Sequence, residues 1–316
     1  MFGGIVMTRA VAKTKGINSL GTRMKKYWQI YLLIIPALLL LLYFQYYPMF
    51  GVQIAFKDYK IVKGIMGSKW VGMKWFLKLF RTPKFTQVVW NTLILNILYL
   101  FISLPVSIIF GLMLNECQHI GYKRVIQTVS YMPHFLSWVI IYAIFNNILA
   151  DRGLINTVIK LLGGKSVVFL TQSKYFRTIM VSADLWKNTG WNTIVILAAI
   201  TSIDPSLYEA AVMDGASRIQ RMYHVTLPGI RSILIVLMIL RVGRIMGDDV
   251  TQVLMFQNNA TLDVSDVLGT YLYRQGLGKM EYSYTSAAGL FQSAIGMVLI
   301  LITNKCAHMM GEQGLW

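Results

Sequence analysis

Charged side chains are scarce in this chain, and the few that interrupt its apolar runs are the first place to look for chemistry. Asp184 and Lys187 break the run from Thr178 to Ile203, and Arg241 and Arg244 break the run from Ser232 to Met246. Ionisable groups at such depth in an apolar helix are expensive, so each is a functional candidate by default. The members of each pair stand three residues apart and share a helix face. Asp184 and Lys187 could neutralise one another. Arg241 and Arg244 have no acid in their own run before Asp248 and Asp249. They either line a polar path or pair with those acids or with another subunit.

Covalent chemistry is not indicated. The four histidines, His119, His134, His224 and His308, are scattered without metal or catalytic spacing. Gly163-Gly164-Lys165-Ser166 has the end of a phosphate loop, but Ile159 stands where that loop needs a further glycine. No catalytic residue, metal site or cofactor is therefore expected on this chain. Cys117 and Cys306 lack CxxC partners and are expected as free thiols. Asn259-Ala260-Thr261 fits a glycosylation sequon, a match short enough to be accidental.

The elements that must carry these residues are membrane helices. Of the 316 residues 56% are hydrophobic and 14% charged, and the mean hydropathy is +0.55; soluble domains average about 25% charged. Four runs hold no charge at all, Tyr27 to Phe56, Phe85 to Asn115, Val125 to Ala150 and Tyr282 to Asn304. With the two interrupted runs they make six candidate spans of the length a bilayer requires. The net charge of +17 lies between apolar runs rather than on one surface, which argues against nucleic acid as partner. Residues 1–26 are a polar, basic tail without the features of a cleavable signal peptide. That tail votes for a cytoplasmic N-terminus, whereas the loop after the first span carries Lys57, Lys60, Lys63, Lys69, Lys74, Lys78, Arg81 and Lys84 against Asp58 alone.

The most informative segment lies between the fourth and fifth spans. Asp204 and Ser206 can cap a helix opening at Pro205, Glu209 to Met213 suit its body, and Gly215 ends or bends it. Arg218, Arg221 and His224 give the next segment a basic face before Pro228 opens the fifth span. Glu209-Ala210-Ala211 is followed after three residues by Gly215, and after nine more by Val225-Thr226-Leu227-Pro228.

This spacing resembles the EAA signature of the permease subunits of bacterial ABC importers, with Val225 in place of its isoleucine. Tyr131-Met-Pro-His-Phe-Leu-Ser-Trp138 and Asp184-Leu-Trp-Lys-Asn-Thr-Gly-Trp191 resemble the third and fourth spans of maltose-type carbohydrate permeases. They look closest to the branch that handles oligo- and polysaccharides, including alginate-type importers. The resemblance covers roughly 27–309 and implies an all-α membrane protein with six transmembrane helices, the type I importer permease fold, and both termini cytoplasmic. It implies a coupling helix in the loop 204–228, with Glu209, Ala210, Ala211, Asp214, Gly215, Leu227 and Pro228 set against an ATPase subunit. It further implies residence in the bacterial inner membrane, a second homologous permease, two ATP-binding cassette subunits carrying ATP and Mg, and an extracytoplasmic solute-binding protein. Residues 310–316 would then be a short cytoplasmic tail.

On that reading Lys187, Arg241, Arg244, Trp138, Tyr142, Trp186 and Trp191 are the candidate substrate path, since sugar rings stack on aromatic faces. Interface belts use the same aromatic residues. Eight cations in an external loop, with Arg241 and Arg244, favour an acidic oligosaccharide of the alginate or uronate kind. The same lysines could instead meet lipid headgroups, along an amphipathic segment around Trp70 to Phe80. A neutral oligosaccharide remains the alternative cargo. An ion-coupled secondary transporter, with inverted repeats and helices broken at the midplane, is the alternative class.

Overall fold

The computed structural model describes residues 27–247, 249–312 and 314–316; the basic tail 1–26 and Asp248 lie outside them. The chain divides into two compact units, one up to Gln53 and one from Ile54 to Trp316. In the first, Trp28–Leu41 is an α-helix with Pro36 inside it, continued by a π turn, Leu42–Tyr46. None of these side chains is buried, and Leu33 is 80% exposed. An all-round apolar helix of this kind has lipid as its natural solvent.

Four helices among the described residues are long and apolar enough to cross a bilayer: Trp28–Phe56, Pro83–Glu116, Trp138–Leu161 and Tyr282–Met309. Two bent pairs raise the number to as many as six if each is one span, Ser173–Thr201 with Pro205–Met213 (73°) and Arg218–Gly229 with Arg231–Gly243 (61°). The second span contains a π turn, Tyr99–Ser103, ending two residues before Pro105. Proline has no N–H to return to the carbonyl of Phe101, and the helix locally widens.

The expected third span from Val125 to Ala150 is not one helix. It runs Ile120–Tyr131, tightens to a 3-10 turn over Met132–Phe135, and is extended at Leu136 and Ser137, where ψ is 141° and 155°. It then restarts as Trp138–Leu149, with the Ser137 hydroxyl accepting from the Ile140 N–H. Pro133 cannot donate to the preceding turn, and Ser137 is a good helix start. Such a break is also a mark of secondary transporters, so it does not separate the two classes. The fifth span is also interrupted at its start. Pro228 closes a short turn, Leu227–Gly229, the chain kinks at Ile230, and Arg231–Gly243 follows.

The loops gather at two ends. At one end Ser283 donates to the Lys57 carbonyl at 2.7 Å, Ser173 donates to Asp263 at 2.6 Å, and Lys84 pairs with Asp266 at 3.2 Å. At the other, next to the 204–228 loop, Arg231 opens the fifth span and pairs with Glu312 at 3.0 Å. The basic loop 57–84 folds as a two-stranded hairpin, Lys57 opposite Trp70, followed by an amphipathic helix, Lys74–Arg81, which buries Leu79. Its charges are not all free. Lys57 is buried and donates to the Ile65 carbonyl, while Lys78 pairs with Glu281 at 3.6 Å and sits over Trp75 and Tyr284.

Candidate functional site

The 204–228 segment forms the helix–turn–helix its sequence predicts. Asp204 caps Pro205–Met213, accepting the Ser206 N–H at 2.9 Å. Hydrogen bonds from the Ser206 backbone and hydroxyl hold its carboxyl below the usual carboxylate range. Gly215 ends the helix in the left-handed region, with φ +76°. The Gly215 N–H reaches the Val212 carbonyl at 3.0 Å and the Ala216 N–H reaches the Ala211 carbonyl at 2.9 Å. These are the two bonds of a Schellman ending. Ser217 and Gln220 then form a capping box that starts Arg218–Arg221. Glu209, Ala210 and Asp214 are exposed and Ala211 is half-buried, with no side chain fully buried anywhere in Pro205–Met213. Leu227 instead packs into a core cluster with Ile200 and Ile230, and Tyr208 is tied to Thr226 at 3.0 Å. One part of the segment anchors it and the other presents a bare helix.

The second site lies deep among the spans. A polar cavity of 380 Å³ is lined by Asn96 and Tyr99 from the second span, Trp138 from the third, and Asp184 and Asn188 from the fourth. Arg241, Arg244, Gly247, Asp249 and Gln252 complete it from the fifth span and the helix that follows, Val250–Phe256. A smaller recess of 160 Å³ shares Arg241 and adds Ser103 and Trp191. Two larger grooves, of 630 and 540 Å³, are lined mostly by apolar side chains, and a third, of 690 Å³, shares Arg244 and Gly247 with the cavity.

The cavity's acids are occupied. Asp184 accepts from Ser103 and from Asn188, each at 2.7 Å. Asp249 caps Val250–Phe256 through the Thr251 and Gln252 amides and accepts the Trp138 indole N–H. Arg241 and Arg244 enter no ion pair among the described residues. Arg241 lies 5.8 Å from the centre of the buried Tyr99 ring, and Arg241 and Arg244 are both exposed and line the cavity. Pairing with Asp248 falls outside the described residues.

Asp184 and Lys187 do not neutralise one another. The buried Lys187 ammonium turns away from Asp184 and donates to the carbonyls of His134, at 2.8 Å, and Leu136. The break in the third span leaves those carbonyls without helical partners, and a cation nearby satisfies them. Two aromatic candidates lie apart from the cavity. Tyr142 packs edge-on against Phe256 at 5.3 Å in the core, and Trp186 lines the apolar grooves beside Phe145. Both share a helix with cavity residues but project from other faces, which one-dimensional spacing does not separate. Trp191 stacks flat on His134 at 4.3 Å and 2°. Sequence reasoning missed Asn96, Ser103, Asn188 and Gln252, and of these only Asn188 had a signal, its place in the block Asp184–Trp191. Asp249 was visible only as a possible partner of Arg241 and Arg244.

A bundle of apolar helices, a solvent-presented helix–turn–helix between the fourth and fifth spans, and a polar cavity at depth define a membrane permease. Residues 103–305 match the family described as binding-protein-dependent transport system inner membrane component, and the chain belongs to it. It is 42% identical to the polygalacturonan/rhamnogalacturonan transport system permease protein YteP of Bacillus subtilis (strain 168), across 91% of this chain and 90% of that protein. It is 44% identical to Protein LplB of the same organism, across 96% and 95%. Among solved structures it superposes with a TM-score of 0.86 and 35% identity on a chain of a bacterial alginate ABC transporter in complex with an alginate pentasaccharide-bound periplasmic protein, covering 94% of this chain and 100% of that one. The chain is thus a multi-pass inner-membrane permease of an ABC sugar importer, a transport subunit rather than an enzyme, with ATP hydrolysed on separate subunits.

Proposed function

We propose that this permease carries an acidic oligosaccharide of the uronate class into the cytoplasm, by alternating access driven through Pro205–Met213. The observation that carries the reading is the state of charge in the cavity. Its two carboxylates are engaged by protein donors, whereas Arg241 and Arg244 offer guanidinium groups with no ion pair among the described residues. Guanidinium is the side-chain group best matched to a carboxylate, which it can grip bidentately. The likeness to an alginate transporter and to a polygalacturonan permease supports the same class. Both cargoes in those names are polyuronates.

Glu209, Ala210, Ala211, Asp214 and Gly215 present the surface that docks on an ATPase subunit. Leu227 and Pro228 seat that surface on the bundle. The 204–228 loop and residues 310–316 face the cytoplasm, and the 57–84 loop faces outward. A second homologous permease closes the cavity, two ATPase subunits with ATP and Mg drive the change, and a solute-binding protein delivers the sugar. The cations of the outer loop with no ion pair among the described residues, among them Lys60, Lys63, Lys69 and Arg81, attract an acidic partner or cargo.

The test is ATPase stimulation of the assembled importer in nanodiscs, with binding protein and either uronate or neutral oligosaccharides. Stimulation by uronates that is lost in R241A/R244A upholds the reading. Stimulation by neutral sugars alone overturns it.

A further inference from the structure

We infer that Lys187 is a positioning residue of transport: it holds the third span broken and presses Trp138 into the wall of the cavity, without itself touching the cargo. The inference rests on the cavity being the sugar path, but not on the sugar being acidic.

The break puts backbone polar groups at membrane depth. An unsatisfied carbonyl there costs several kcal/mol, so a broken span persists only where other groups supply the missing donors. Lys187 supplies two, to His134 and Leu136. The His134 ring is held as well, by Asn188 at 3.1 Å and by the face of Trp191. Asn188 in turn donates to Asp184, which takes the Ser103 hydroxyl from the π turn of the second span. The two sequence blocks 131–138 and 184–191 therefore meet face to face in one joint.

Lys187 is 8% exposed and has no carboxylate within ion-pair range among the described residues. A buried cation without a carboxylate partner is costly to keep. Helix-end carbonyls and the Trp138 ring, whose centre lies 5.2 Å from Nζ, compensate it in part. That ring is fixed a second time, because its indole N–H is taken by Asp249, the cap of Val250–Phe256. Trp138 is thus clamped between the fourth span on one side and the segment after the fifth on the other. Any rearrangement that moves these spans past one another must act on this clamp. Two of the three Lys187 N–H groups go to backbone oxygens, and the buried side chain is not among those lining the cavity, which keeps it off the cargo.

The test uses the assembled importer in nanodiscs with whichever oligosaccharide stimulates the wild type. Co-purification of all subunits verifies assembly. K187M keeps the bulk of the side chain and removes its donors, and at least a tenfold drop in maximal stimulation is expected. The loaded binding protein should half-saturate at an unchanged concentration, since it meets the outer loops. K187R, which restores donors, should recover activity to within about threefold of wild type. Because the clamp acts through one ring, K187M and W138F combined should be no worse than K187M alone, the non-additivity expected of coupled groups. Multiplying losses, a K187M rate within twofold of wild type, or no gain from K187R over K187M overturns the inference. Should K187M fail to assemble, W138F and D249A decide it. Equal losses that do not multiply uphold the clamp, and wild-type rates in either variant refute it. Stimulation by neutral sugar alone would defeat the acidic-cargo proposal and leave this test unchanged.

Discussion

Gly190 lies where the fourth span presses on the helix Ile120–Tyr131, and replacing it with alanine should open that joint. A Cβ at this position would stand 2.2 Å from the Ser130 carbonyl oxygen and 2.5 Å from its carbon. Both obstacles are backbone, so no rotamer change relieves them. Reaching ordinary contact at 3.4 Å requires the two helices to part by about 1.2 Å. Carried four residues on to His134, that displacement stretches the 2.8 Å Lys187–His134 bond and the 3.1 Å His134–Asn188 bond beyond about 3.9 Å, where neither survives. Overpacking costs about 1–3 kcal/mol and each of the two lost hydrogen bonds about 1 kcal/mol, so G190A should destabilise by about 3–5 kcal/mol. Close approach over small residues is a usual way for membrane helices to associate. The control is G289A in the sixth span, where an added Cβ meets nothing within 4 Å. Thermal and denaturant unfolding in detergent should separate the two variants, and G190A should also lose sugar-stimulated ATPase activity. A G190A protein as stable and as active as G289A would refute the proposed tightness of the joint and its link to Lys187.

Other perturbations test other parts. E209K, on the exposed face of Pro205–Met213, should assemble in the membrane yet uncouple ATP hydrolysis from uptake; normal uptake would remove Glu209 from the coupling surface. G215V forces a β-branched residue to φ +76° and should cost about 1–2 kcal/mol, read as reduced affinity of the permease for its ATPase in co-purification. D266A removes a fully buried carboxylate that Lys84 holds at 3.2 Å and Arg274 at 2.7 Å. Both cations are partly exposed, so the loss should be about 1–3 kcal/mol rather than that of a wholly buried pair, with faster proteolysis in 257–268. The Asp204 cap has a carboxyl lowered in the folded state, so its contribution is present above the ordinary carboxyl value and lost as pH falls through the lowered one. Hydrogen exchange of the Ser206 N–H, corrected for its intrinsic pH dependence, should therefore rise only below about pH 4, and D204A should raise it at neutral pH.

The apolar runs, the cap at Asp204, the stop at Gly215 and the register of Glu209-Ala210-Ala211 were all legible in one dimension. Each depends on local rules: helix length against bilayer thickness, and side chains bonding to backbone a few residues away. The family resemblance was legible for the same reason, since its signature lies in contiguous residues. The cavity was legible only in part. Arg241 and Arg244 stood out because charge in an apolar run is conspicuous, but Asn96, Asn188 and Gln252 are uncharged and carry no such mark. Asp249 was visible only as a possible partner for the arginines, and the fold gives it to Trp138 and a helix cap instead.

What tertiary structure alone decided was the assignment of partners. Asp184 and Lys187 are a plausible pair by spacing, yet one faces the second span and the other the third. A break that Pro133 and Ser137 permit becomes stable only when a lysine 53 residues from His134 reaches its free carbonyls. Tyr142 and Trp138 share a helix, but only packing shows that one faces the core and the other the cavity. Local sequence determines where helices start, stop and carry charge. Which charge meets which dipole is set by the close approach of distant spans, and at membrane depth that meeting distinguishes the residues lining the path from those holding it open.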